Sequence, residues 1–267
     1  MCIGCLCQEA SRSNGVLELP VNQMMRTALL AAVWTVSCGG ETTHTDRPPA
    51  SGCPESAVEV DSKLGTFCID RTEVTGARYS EFLKEPPQSQ PAFCKWNESY
   101  VPTAKWPTAS PETPVTFVDW CDARAYCEWA GGDLCGGAEG STLDYSDGSD
   151  PNASRWMAAC SHDGERAYPY GDKYQPTACR GEGQLAPVVA GSLPICEGGF
   201  TGMFDLSGNV GEWENACDQF VDRWDTCNVR GGAFSSSGAE LSCGAWAYDN
   251  RFAKTEAVGI RCCYELP

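Results

Sequence analysis

The sequence predicts an α+β domain with little regular secondary structure, stapled by disulfides. Three observations carry this. Eighteen cysteines stand in 267 residues. Helical periodicity is confined to short stretches, and long loops rich in Gly, Pro and Trp separate brief β-type segments. A reducing compartment would leave most of those thiols idle, so export into an oxidising one is the better reading. Zinc is the alternative, but no two CxxC knuckles stand at zinc spacing. An irregular backbone of this kind needs crosslinks to hold it.

The net charge of −17 argues against nucleic acid or anionic lipid as a partner, because both demand a basic face. An acidic, oxygen-rich chain suits calcium. Residues 1–23 read as an overextended start. Residues 24–38, "MMRTALLAAVWTVSC" from position 24, combine a basic residue, an apolar run and small residues before Cys38. That is a signal peptide ending in a lipoprotein-type lipidation cysteine, although Thr35 stands where an aliphatic residue is usual. The apolar run is too short to span a bilayer. Residues 39–52 form a polar, Gly- and Pro-containing flexible tether, and the domain occupies 53–267. Setting aside Cys2, Cys5, Cys7 and Cys38 leaves fourteen cysteines, an even number that seven disulfides can close.

Within the domain, "AVEV" and "LGTFCID" predict a β-hairpin. Asp70 to Thr75 is a turn, and Thr75 can cap a short helix that carries Tyr79, Phe82 and Leu83 on one face. Residues 86–114 make a long Pro-rich loop that Cys94 can pin. "PVTFVDWCDARAYCEWAGG" predicts a strand leading into a helix. Asp119 caps that helix, Asp122 lies in its first turn and Gly131-Gly132 stops it. Trp120, Ala123, Cys127 and Ala130 share a stripe. Cys121 stands about 120° from Cys127 around the helix, so the two need different partners. "SRWMAAC" predicts a second short helix ending at Cys160.

Six motifs then recur in order: "FCIDRTEVTGARYSEF" (67–82), "PVTFVDWCDARAYCEWAGGDL" (114–134), "YPYG" (168–171), "GMFDLSGNVGEW" (202–213), "VRGGAF" (229–234) and "GIRC" (259–262). Together they resemble the sulfatase-modifying-factor domain of formylglycine-generating enzyme over about 55–265. The resemblance implies a C-type-lectin-like fold with small sheets and calcium-supported loops. It also implies, for active members, oxidation of a sulfatase cysteine by oxygen with copper held between two cysteines.

Carried over position by position, the resemblance implies a calcium site. Asp205 and Glu212 give side-chain oxygens, and Gly208 and Val210 give backbone carbonyls. Two close carboxylates repel each other without a cation between them. The bland reading is a bend in which Asp205 caps a local N–H and Glu212 is solvated. Gly211 replaces the family's Trp, and Cys179 stands where an Asn ligand of a second calcium site would fall. The resemblance further implies disulfides Cys127–Cys262 and Cys160–Cys243. Cys217–Cys227 and Cys179–Cys196 are plausible local pairs. Cys263 needs another partner, Cys121 or Cys94, because neighbours on a strand point to opposite faces.

The family's copper-binding thiols would fall near Ser236 and Leu241 in "SSSGAELSC" (235–243), where the only thiol is Cys243. A serine hydroxyl is a poor ligand for soft Cu(I), so copper is not expected. Iron-dependent relatives of this fold need a cluster of histidines, and beyond the tether the chain has only His162. No G-x-S-x-G elbow accompanies Ser235, Ser236 and Ser237. Arg230 and Arg261 are expected to pair with buried acids or to stack on Trp. The sequence therefore favours an exported, lipid-anchored, non-catalytic module that binds a peptide, protein or glycan at the cell surface. The rival readings are a formylglycine-generating oxidase and a purely structural surface protein.

Overall fold

The computed structural model describes residues 52–266. The overextended start, the signal peptide, Cys38 and all but the last residue of the tether lie outside the described residues.

The predicted hairpin forms from β1 (Ala57–Ser62) and β2 (Gly65–Asp70), paired antiparallel with Ala57 opposite Asp70. Gly65, at φ +97°, makes the tight connection. Thr75 caps α1 (Gly76–Phe82) through its hydroxyl, and Tyr79 and Phe82 are buried. Helix α2 (Trp120–Trp129) starts on a capping box in which Asp119 and Asp122 each accept from the other's backbone N–H. It is buried on more than the predicted stripe, since Cys121, Asp122, Ala125 and Tyr126 are closed to solvent as well. Ser154 caps α3 (Arg155–Ser161).

The strand expected before α2 is absent. Pro114 makes one isolated bridge to Thr75, and Phe117 sits at φ +58°, in the left-handed region. Proline cannot donate to a ladder, and a left-handed residue breaks an extended run. The segment is instead tied by Val115 N–H to the Val74 carbonyl and by Phe117 N–H to the Thr255 carbonyl.

Six further strands complete the fold: β3 (Asp133–Leu134), β4 (Gly211–Cys217), β5 (Thr226–Arg230), β6 (Ala247–Asn250), β7 (Val258–Gly259) and β8 (Cys262–Tyr264). They make two four-stranded sheets, ordered β1-β2-β8-β3 and β6-β5-β4-β7. The first sheet separates two apolar clusters. One gathers α1 and α2 residues around Tyr79, Trp120 and Tyr126, with Cys262, Tyr264 and Trp213. The other gathers Phe67, Ile69, Trp156, Leu206 and Cys263.

All fourteen cysteines of the described residues are bonded. The structure joins Cys127–Cys262, Cys160–Cys243, Cys179–Cys196 and Cys217–Cys227. It adds Cys53–Cys68. Cys94 joins Cys121 and so pins the long loop to α2. Cys263 therefore pairs with neither Cys121 nor Cys94; its partner is Cys135. The reason is the alternation of β8. Cys262 faces the α2 cluster, which holds Cys94 and Cys121, while Cys263 faces the opposite cluster, which holds Cys135.

Candidate functional site

The bend 205–212 is fixed by backbone geometry, close packing and side-chain hydrogen bonds. Asp205 and Asn209 both take positive φ, +61° and +59°, with Gly208 at +79° between them. A Cβ on Gly208 would lie 2.1 Å from the Arg180 carbonyl oxygen, so only glycine fits there. Asn209 fastens the bend to its neighbour: its Oδ1 accepts from Val188 N–H at 2.8 Å.

The two acids of the bend differ in their surroundings. Glu212 is not solvated. Its Oε1 accepts from Arg261 Nε at 2.8 Å and its Oε2 from Trp156 Nε1 at 2.6 Å. Asp205 Oδ2 accepts from Gly191 N–H at 2.6 Å, while its Oδ1 is buried with no partner. A third acid, missed by sequence reasoning, joins them. Glu73 is wholly buried, with Oε1 accepting from Val210 N–H at 3.4 Å and Oε2 unpartnered. Burial first, then the Asp205 charge, pushes the Glu73 carboxyl well above the carboxylate range, although Arg261 pulls it down. Burial also raises Asp205 and Glu212. Glu73 lies in the "TEVT" turn between β2 and α1, and no local pattern there marks it as buried. Only the tertiary approach of residue 210 buries it. Among the described residues, no group of three or more His, Cys, Asp or Glu side chains converges on one metal position.

The arginines serve as internal braces. Arg230 is buried with its guanidinium 5.1 Å over the Trp156 ring and Nε 4.0 Å from Glu214. His162 caps α3 in the left-handed region and meets Glu165 at 3.0 Å.

The loop after the "RGGAF" turn holds the positions where thiols would fall. Ser236 closes a turn, its hydroxyl accepting from Ala233 N–H at 3.1 Å. Leu241 is a core side chain packed toward Gly181, Gly208 and Gly232, and its carbonyl accepts from the Ser207 hydroxyl at 2.7 Å. Cys243 is fully buried in its bond to Cys160. Neither Ser236 nor Leu241 offers a soft ligand, so the donor set does not fit copper.

Aromatic side chains flank this loop on both sides. Tyr168 stacks on Tyr170 with centroids 5.5 Å apart, and its hydroxyl donates to the Gly238 carbonyl. On the other side, a cavity of about 80 Å³ is lined by Gly232, Ser236, Glu240 and Trp246. Trp246 and Tyr248, on and beside the edge strand β6, are 53% and 62% exposed. Tyr145 meets Trp246 edge-on at 5.3 Å. Trp246 is held in place by its indole N–H, which donates to buried Asn228 at 2.7 Å. Sequence reasoning missed this pair. The signal was there in the alternation Trp246-Ala247-Tyr248, which puts two aromatics on one face of a strand.

A family model for the sulfatase-modifying factor enzyme 1-like domain matches residues 31–266. The chain belongs to the sulfatase-modifying factor enzyme 1-like domain family. Within the family it is similar to a Bos taurus protein named inactive C-alpha-formylglycine-generating enzyme 2, at 30% identity over 130 residues. That match covers 42% of this chain and 36% of the relative. The Mus musculus protein of the same name is 27% identical over 213 residues, 63% of each chain. Bos taurus formylglycine-generating enzyme is 30% identical over 121 residues, 39% of this chain and 27% of that one. The matched stretches thus span about a third of the two bovine relatives and under two thirds of the murine one. Two solved structures share the fold at a TM-score of 0.51. CarF, 18% identical, is matched over 76% of this chain and 87% of its own. PvdO from Pseudomonas aeruginosa, 17% identical, is matched over 76% and 81%. At that identity they speak to fold alone.

Proposed function

We propose that this family member is a non-catalytic binding module, exported and anchored through Cys38. Its domain binds a peptide, protein or glycan at the cell surface. The observation that carries the reading is the loop 235–243. Its two thiol positions are a turn-closing serine and a core leucine, and its one cysteine is buried in a bridge to Cys160. Oxidation of a substrate cysteine through a two-thiolate copper centre has no ligands there. Similarity to two mammalian proteins named inactive points the same way.

The aromatic side chains around that loop supply a binding surface. Rigid, exposed aromatics give large contact area at small entropic cost, and Trp246 is already fixed by Asn228. Seven disulfides among the described residues support export, and the apolar run before Cys38 supports the anchor.

The test has two arms on the purified full chain. Titration with Cu(I), followed by incubation with a Cys-x-Pro-x-Arg peptide, is expected to show no stoichiometric copper and no aldehyde. Screening against peptide and glycan arrays is expected to give ligands whose binding Trp246→Ala removes without a change in Tm. Aldehyde formation would establish the oxidase. Array silence together with copper silence would leave the structural protein.

A further inference from the structure

The edge strand β6 carries a line of aromatic side chains along one face. Tyr248 and Asn250 alternate onto that face, opposite Asn228 and Thr226 of β5. Trp246 precedes them on the same side, with its indole on Asn228. Just past the Thr226–Asn250 pair, Trp224 meets Phe252 edge-on at 4.8 Å. Trp224, Trp246 and Tyr248 are all exposed. Trp246 touches Tyr248 at 5.8 Å, and Tyr145 closes the near end. Extended chain from 246 to 252 measures at most about 20 Å, so the rings form a row and not a single patch.

The near end of the row is held in place from beneath. Buried Asn228 accepts the Trp246 indole N–H through Oδ1 and donates from Nδ2 to the Tyr145 carbonyl at 3.1 Å. The Ser149 hydroxyl donates to the Gly244 carbonyl at 3.1 Å, which ties the Tyr145 loop to the approach to β6. Rings fixed in advance lose little entropy when a ligand arrives.

Two observations decide what such a row takes. The first is the backbone edge. Arg251 N–H donates to the Asp225 carbonyl, so the odd-numbered residues of β6 face β5 and the open edge presents Tyr248 and Asn250. Asn250 is already engaged on both groups. Its N–H donates to Asp249 Oδ1 at 2.8 Å, and its carbonyl accepts from Ala253 N–H at 2.8 Å. Tyr248 alone is too little edge for an added peptide strand.

The second observation is charge. Asp144 and Asp147 flank Tyr145, Asp218 Oδ1 holds Thr226 N–H at 2.8 Å, and Glu240 lines a cavity with Trp246. All four acids are exposed. Residues 133–154 and 231–250 contain no Lys or Arg, and Arg223 stands at the far end, 5.1 Å over Trp224. A rim of carboxylates accepts hydrogen bonds and repels anions. A neutral sugar is its complement. Its hydroxyls donate, and its weakly positive C–H face stacks on the negative face of an aromatic ring. A row of rings suits a chain of such units, whereas one cationic side chain needs one ring. We propose that Trp246, Tyr248 and Trp224 bind a linear, uncharged glycan, with the carboxylates of the rim accepting from its hydroxyls. This names the ligand class of the aromatic surface described under the proposed function, and it rests on that reading.

The full chain is titrated with linear glucan, mannan and N-acetylated chitin oligosaccharides, from disaccharide to hexasaccharide, by calorimetry and tryptophan fluorescence. Oligogalacturonates of matching length and Lys- and Arg-rich peptides are the comparators. At least one neutral series is expected to bind, with affinity that rises with length, while the oligogalacturonates do not. Tyr248→Ala is expected to weaken the hexasaccharide about 10-fold with Tm unchanged. Trp224→Ala, at the other end, is expected to flatten the gain with length. Oligogalacturonate bound as tightly as the neutral series, no gain with length, or a Tyr248→Ala variant that binds like the parent would each overturn the glycan. Peptides that bind through Tyr248 while every glycan fails would overturn it too, yet keep the binding surface. Silence of glycans and peptides alike would remove the surface as well.

Discussion

Arg261 donates from Nε to Glu212 Oε1 at 2.8 Å where neither side chain meets solvent. The same guanidinium donates to the Asp70 carbonyl at 2.6 Å and to the Phe204 carbonyl at 2.8 Å. One residue of the closing segment thus fastens the end of β2, the entry to the bend and the start of β4. A planar fork with several donors can do this, and a single ammonium cannot.

Arg261→Leu is therefore expected to cost about 3–5 kcal/mol, the range for breaking a buried pair and leaving its partner charged. Arg261→Lys should recover only a small part, because two carbonyls lose their donor. Urea unfolding of both variants checks this, and a lysine variant as stable as the parent would sink it.

Leu241→Ala is expected to cost about 2–5 kcal/mol, as for other large-to-small changes in a core. A solvated loop position would lose almost nothing. The measurement is equilibrium unfolding, and it separates a plug in the core from a vestige of a catalytic loop.

Restoring the family's tryptophan at Gly211 is expected to destabilise. A Cβ there would stand 2.6 Å from a Val229 methyl and 3.3 Å from the Ala257 carbonyl oxygen. Overpacking of this kind costs about 1–3 kcal/mol. Gly211→Ala is the milder variant, and a rise in Tm for either would contradict the packing described.

Removing the Cys160–Cys243 bridge by Cys243→Ser opens a loop of 83 residues. The expected loss is about 2–5 kcal/mol, the usual range for removing a native disulfide. Non-reducing peptide mapping of the parent chain should return all seven bridges, Cys135–Cys263 among them.

The acid pair at the start of α2 gives a pH signature. Burial and then the Asp122 charge push the Asp119 carboxyl up to about 7, against the pull of Lys254 at 3.1 Å. Its ordinary value is 3.8. Between those values the folded chain holds more protons than the unfolded one, so stability falls as pH rises through that window. Burial opposes the charge on Lys254, but Asp122 and Asp119 outweigh it and raise its pKa. The stabilisation of that ammonium is therefore present below its unfolded pKa and is lost in alkali. Asp119→Asn keeps a good cap and removes one titration. Urea midpoints at a series of pH values from about 4 to 7 should then decline less steeply than in the parent; an unchanged slope would refute the assignment.

Local chemistry was legible in the sequence wherever neighbours in the chain decide it. The hairpin at residues 57–70, the Thr75 and Asp119 caps and the stop at Gly131 follow from side chains reaching backbone groups a few positions away. Six motifs in order named the family. The partner of Cys263, the engagement of Glu212 and the burial of Glu73 were decided only by tertiary structure. Each depends on which face of one segment meets another more than forty residues away. Residue spacing carries no record of that meeting, whereas packing and desolvation act on nothing else.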